Sequence, residues 1–83
     1  MIVHGVVQGV GFRYWLAREA ESRGVAGSAR NLWDGTVEVV LEGELEAVET
    51  MVGRCRQGPR GAVVVHVEVE EVAPEGLRGF EIR

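Results

Sequence analysis

Two short runs carry the residues whose types and spacing suit chemistry. In the first, Gly5-Val6-Val7-Gln8-Gly9-Val10-Gly11-Phe12-Arg13, small apolar residues turn through glycines and deliver one arginine at the start of a helix. No Ser, Thr, Asp or Asn stands between residues 5 and 13, so the short polar side chains that usually cap a helix start are missing. About four backbone N–H groups at a helix N-terminus lack intrahelical partners. Here they lie open beside the Arg13 guanidinium, an arrangement that suits a tetrahedral oxyanion, a phosphoryl group above all. A glycine-rich turn also serves simply to reverse a chain. Two better-known phosphate motifs are absent: a dinucleotide fingerprint needs glycine where Tyr14 stands, and a Walker loop needs lysine, which the chain lacks.

The second run is Gly27-Ser28-Ala29-Arg30-Asn31-Leu32-Trp33-Asp34-Gly35-Thr36-Val37. Taken alone, an asparagine beside an Asp-Gly turn is a turn former. If the fold brings this strand end to the glycine loop, Asn31 would instead hold a water against an anion bound there. His4, His66 and Cys55 lack ligand spacing for a metal, and no metal is expected. Asp34 reads as part of the turn, Trp15 and Trp33 as packing residues, and Glu68, Glu70 and Glu71 as solvated strand or edge positions.

The elements that must position these runs follow from periodicity. Residues 1–7 read as a strand and Phe12 to Arg23 as a helix, with Phe12, Trp15, Leu16 and Ala20 at helical spacing and Gly24 where a helix commonly stops. Val25–Trp33 and Thr36–Leu41 read as strands around Asp34-Gly35, with Val37, Val39 and Leu41 sharing one face. Leu45, Val48, Val52 and Cys55 mark a second amphipathic helix, with its glutamates early and its arginines late as the helix dipole favours. Gly58-Pro59 closes it. Val63, Val65, Val67 and Val69 alternate with Val64, His66, Glu68 and Glu70, the period of a half-buried strand, and Phe80-Glu81-Ile82 offers a short fifth. The order β-α-β-β-α-β predicts a ferredoxin-like α/β sandwich, two helices covering one face of an antiparallel sheet.

At 83 residues the chain is expected to be one domain, 1–83, with a single modest core. With neither a long apolar run nor a signal peptide it is expected to be soluble and not exported; one cysteine, Cys55, fits a reducing cytosol. The formal net charge of −4 argues against general nucleic-acid binding. Acids crowd into Glu38–Glu49 and Glu68–Glu75, whereas Arg13, Arg18, Arg23 and Arg30 dominate the first third. A basic pocket on an acidic protein fits a small anion better than a polyanion.

Together the two runs resemble the acylphosphatase family. Its first signature, Gly-x-Val-Gln-Gly-Val-x-Phe/Tyr-Arg, is matched from Gly5 to Arg13. The second, a glycine followed by Arg/Lys-Asn and Asp-Gly-x-Val, is matched by Gly27, Arg30-Asn31 and Asp34-Gly35-Thr36-Val37. The likeness extends to the closing Gly79-Phe80-Glu81-Ile82-Arg83. There are two departures. Ser28 stands where the family usually has an aromatic residue, which removes apolar contact, and the first strand is short, which predicts weaker edge pairing.

The resemblance implies a cytoplasmic, cofactor-free hydrolase that converts small acyl phosphates to carboxylate and inorganic phosphate, expected as a monomer without nucleic-acid or membrane partners. It implies a phosphate-binding run of Gln8, Gly9, Val10, Gly11, Phe12 and Arg13, with Arg13 and Asn31 as catalytic residues. The chemistry is consistent: phosphoryl transfer asks mainly for positioning and charge stabilisation. The Arg13 fork suits phosphate, and the Asn31 amide would orient the attacking water. The substrate phosphate is implied to take that water's proton, so no protein base is needed. A carboxylate, whose acid has a pKa of roughly 4, leaves without acid help. The alternative is a non-catalytic carbamoyl-phosphate or anion-binding module of a larger assembly, such as heads hydrogenase-maturation proteins. An RNA-binding domain on the same frame lacks the exposed aromatic strand motif and basic surface it would need.

Overall fold

The computed structural model describes residues 1–83 and places seven elements along them: β1 Ile2–Val6, α1 Phe12–Ser22, β2 Ala26–Asn31, β3 Val37–Glu42, α2 Leu45–Gln57, β4 Val63–Glu68 and β5 Phe80–Ile82. The strands form one sheet in the order β4-β1-β3-β2-β5. β1 and β2 run the same way with β3 between them, and β3 and β4 do so around β1. Each helix therefore bridges a split β-α-β unit, and the architecture is the ferredoxin-like sandwich.

The fifth strand is present and corrects one expectation. β5 pairs parallel to β2, Gly27 opposite Phe80 and Ala29 opposite Ile82, so the sheet is mixed rather than wholly antiparallel. The cause is topological: β4 and β5 lie on opposite edges, and the chain from 69 to 79 crosses between them to re-enter in the direction of β2.

The apolar faces meet between the layers. Val3, Ala29, Val37 and Val39 from the sheet pack on Phe12, Leu16 and Ala20 of α1 and on Met51 and Cys55 of α2. Trp15 is half-buried, its ring 5.6 Å from that of Phe12, with the Arg54 guanidinium 5.6 Å above it. Arg54 Nε also donates to Glu19 Oε1 at 2.6 Å, which ties the two helices at their surface.

β4 departs from simple alternation. Its expected buried face of Val63, Val65, Val67 and Val69 retains only Val67; Val63 and Val65 are 58% and 75% exposed, and Val64 turns toward the core. A bulge explains this: His4 pairs with His66 but Gly5 with Val64, so Val65 has no partner and the faces exchange beyond it. Gly5 makes the bulge possible, because at its φ of 136° a Cβ would lie 2.0 Å from the Val63 carbonyl oxygen. The short β1 is not an edge strand at all but is paired on both sides, with β3 and β4. Ser28 is buried within β2, opposite Val40 and Glu81.

Candidate active site

The glycine loop joins β1 to α1 at the end of the sheet where β2 also finishes. Val7 and Phe12, each 1% exposed, sink its two ends into the core. Between them Gly9 and Gly11 take φ of 73° and 76° while Val10 keeps a negative φ. Such alternation turns successive N–H groups toward one concave side, the geometry of an anion nest. Gly11 is the N-cap of α1, left-handed and without any side-chain cap, and no acid occupies the first turn. The helix ladder starts with Trp15 N–H donating to Gly11 O at 3.0 Å, and none of the loop or cap hydrogen bonds draws its N–H from residues 9–14. The open donors read from the sequence are therefore open in the fold.

Arg13 lies half-buried at this end. Its Nη1 donates to the backbone oxygen of Arg83 at 2.8 Å, and Arg83 N–H donates to Ala29 O at 2.9 Å. No Asp or Glu side chain pairs with it, whereas Arg23 and Arg30 are each matched, to Glu19 and Glu38. Of the first-third arginines, Arg23 and Arg30 are thus held in surface ion pairs, Arg18 is exposed on α1 without an ion pair, and Arg13 is the one at the loop's edge. Sequence reasoning missed the Arg83 contact, and no pattern announced it: the acceptor is a main-chain atom brought there by β5.

Asn31 is the last residue of β2, opposite Val37. Its Oδ1 is a buried side-chain oxygen with no hydrogen-bond partner in the fold, and it is the one such atom. Leaving a buried acceptor unmatched costs about 1–3 kcal/mol, and a native orphan of this kind calls for a water or ligand. The glycine loop is tied to the adjoining turn by Gln8, whose Nε2 donates to Leu32 O at 2.8 Å and Thr36 O at 2.9 Å. That side chain is committed to joining the two signature runs, which leaves residue 8 its backbone N–H for any anion. Gln8 and Arg13 of the first run and Asn31 of the second thereby come to the same end of the sheet.

The turn itself is stiffened by Asp34, whose Oδ1 accepts from Thr36 Oγ1 at 2.6 Å and from Thr36 N at 3.0 Å. The Thr36 hydroxyl and then its backbone N–H hold the Asp34 carboxyl below its ordinary 3.8. Trp33 does not pack as expected: at 106% exposure its indole touches nothing, because it stands in the turn past the last residue of β2. His4 and His66 are strand residues as read, facing each other across β1 and β4 with rings 5.5 Å apart; Glu68 bonds His4 Nε2.

Fold and site define a ferredoxin-like α+β domain with an uncapped, arginine-flanked glycine turn at one end. The acylphosphatase family model matches residues 1–82. An acylphosphatase of Thermococcus kodakarensis is 54% identical over 80 residues, spanning 96% of this chain and 88% of the relative. One from Trichormus variabilis is 53% identical over 83 residues, 100% of this chain and 82% of the relative. Among solved structures, Bacillus subtilis acylphosphatase superimposes with a TM-score of 0.93 at 38% identity, covering 99% of this chain and 92% of that one. A full-length HypF in its phosphate- and nucleotide-bound form gives 0.89 at 28% identity, but this chain spans only 11% of it. The chain belongs to the acylphosphatase family and is an enzyme of that type.

Proposed function

We propose that this protein hydrolyses the carboxyl–phosphate bond of small acyl phosphates, releasing a carboxylate and inorganic phosphate. The N–H groups from Gly9 to Arg13 receive the non-bridging oxygens, and Arg13 adds a fork of charge-assisted bonds. Asn31 orients the attacking water, the phosphate accepts that water's proton, and the carboxylate departs without an acid. Positioning and electrostatic stabilisation supply the rate, as phosphoryl transfer requires. The observation that carries this reading is the buried, unpartnered Oδ1 of Asn31 at the strand end tied to the glycine loop by Gln8. A free acceptor there is what a bound water's hydrogen would satisfy.

The likeness to HypF supports a second reading, an anion-binding module without turnover. One experiment separates the two: hydrolysis of benzoyl phosphate in the presence of a chelator, with Asn31→Ala alongside. Turnover that the variant loses supports the hydrolase. Stabilisation by phosphate with no turnover supports the module.

A further inference from the structure

The Arg13 side chain donates its one hydrogen bond within the fold to the backbone oxygen of Arg83, so the pose of its guanidinium depends on how β5 is docked. β5 is a three-residue edge strand, reached by a crossing segment, 69–79, that has no regular structure. Little backbone bonding holds that segment. Gly27 N–H donates to Gly79 O at 2.9 Å, and the remaining anchors are on one side chain. Glu75 N–H donates to Glu42 Oε1 at 2.7 Å and Leu77 N–H to Glu42 Oε2 at 2.8 Å. Gly76, at φ 73°, lies between these donors and bends the chain so that both amides face the carboxylate. Bonds to an ionised acceptor are the strong kind.

Glu42 ends β3 and pairs with Ala26 at the start of β2, whereas Asn31 pairs with Val37 at the other end. At roughly 3.3–3.4 Å per residue, that puts Glu42 about 17 Å along the sheet from the site. We infer that Glu42 is a positioning residue for Arg13: its carboxylate clamps the crossing segment, the clamped segment docks β5, and docked β5 holds the Arg13 guanidinium against the glycine loop. This inference rests on the proposed role of Arg13 in holding phosphate. Releasing the clamp lets the segment and β5 open locally, a sub-global event rather than unfolding. Ligand must then select the docked fraction, and the apparent dissociation constant rises by the inverse of that fraction. Saturating substrate restores docking, so turnover at saturation is spared.

The test compares wild type, Glu42→Ala, Glu42→Gln, Arg13→Ala and Glu42→Ala/Arg13→Ala. It reads inorganic phosphate affinity, kcat and KM for benzoyl phosphate, and amide hydrogen exchange. In Glu42→Ala, the Gly27 and Arg83 amides should lose protection while core amides of α1 and β3 keep theirs. The phosphate Kd and KM should rise about tenfold with kcat within twofold, as expected when the docked fraction falls to about one tenth. Glu42→Gln keeps one acceptor and should fall between, and it carries the test if the alanine variant does not fold. In the Arg13→Ala background the second change should not lower the residual kcat/KM for benzoyl phosphate any further. Exposed β5 amides with wild-type Kd and KM, or amides that stay protected, would overturn the inference while leaving the hydrolase reading intact. A wild type that neither binds phosphate nor turns over would overturn both.

Discussion

At the scale of single residues, the roles proposed for Arg13 and Asn31 differ by chemical kind, one bringing charge and one a neutral, directed amide. Arg13 is the one arginine at the loop and has no Asp or Glu side-chain partner. Arg13→Ala is therefore predicted to remain folded, to lose phosphate binding and to lose nearly all turnover. Titration with phosphate and a benzoyl phosphate assay check this, and near-normal activity in the folded variant would exclude the assignment. Asn31→Ala should retain phosphate affinity while kcat drops by roughly 10²–10³, the range for removing one aligned transition-state group. Because Oδ1 has no partner in the fold, the same change removes an unsatisfied acceptor, and the thermal midpoint should not fall. A variant that loses binding but keeps its rate would make Asn31 a substrate ligand instead.

At the scale of elements, glycine positions sort by what a side chain would meet. Gly53 lies inside α2 with an ordinary φ, and a Cβ there meets nothing within 4 Å. Gly53→Ala is predicted to stabilise the protein by about 1 kcal/mol, visible in a urea unfolding curve. Gly27 is the opposite case, since at φ 153° a Cβ would sit 1.8 Å from the Val40 carbonyl oxygen; alanine there should break the β2–β3 pairing and lower the midpoint sharply. The β2–β3 turn adds a pH dependence. Asp34 is held below 3.8 by the Thr36 hydroxyl and N–H, so its contribution is present above the unfolded pKa and is lost as pH falls through the lowered folded one. Wild type and Asp34→Asn should therefore differ in urea midpoint at neutral pH and converge once pH has fallen through the lowered pKa of the folded state.

At the scale of the whole molecule, one core under one sheet leaves Cys55 fully buried, and burial raises its thiol from 9.0 to about 12. The sign follows from linkage. Between those two values the unfolded chain has shed the proton and the native chain has not, so stability falls as pH rises through that window. Native protein should resist alkylation at pH 8 and react in denaturant, because the thiolate is the nucleophile. Stability measured against Cys55→Ala should decline from about pH 9 upward. An alkylation rate unaffected by unfolding would show that the core is open at α2.

Much of this was legible in the chain because it is locally encoded. The glycines at 9 and 11, the missing cap, and Arg13 in the first turn of α1 are neighbours in sequence, and their chemistry can be read without a fold. Helical spacing of Phe12, Leu16 and Ala20 and alternation of Val37 and Val39 likewise specify buried faces. What the tertiary structure decided is whatever depends on residues far apart in the chain. Only the sheet order puts β1 between β4 and β3, makes β5 parallel to β2, and carries the Arg83 backbone oxygen to Arg13. The bulge opposite Gly5 exchanged the faces of β4 because register is a property of two strands, and alternation along one of them cannot reveal it. Trp33 and Asn31 stand two residues apart with opposite fates, a free indole and a buried orphan oxygen. Which of them faces solvent is set by where β2 ends and by the Gln8 tether, and neither is written in the residues between them.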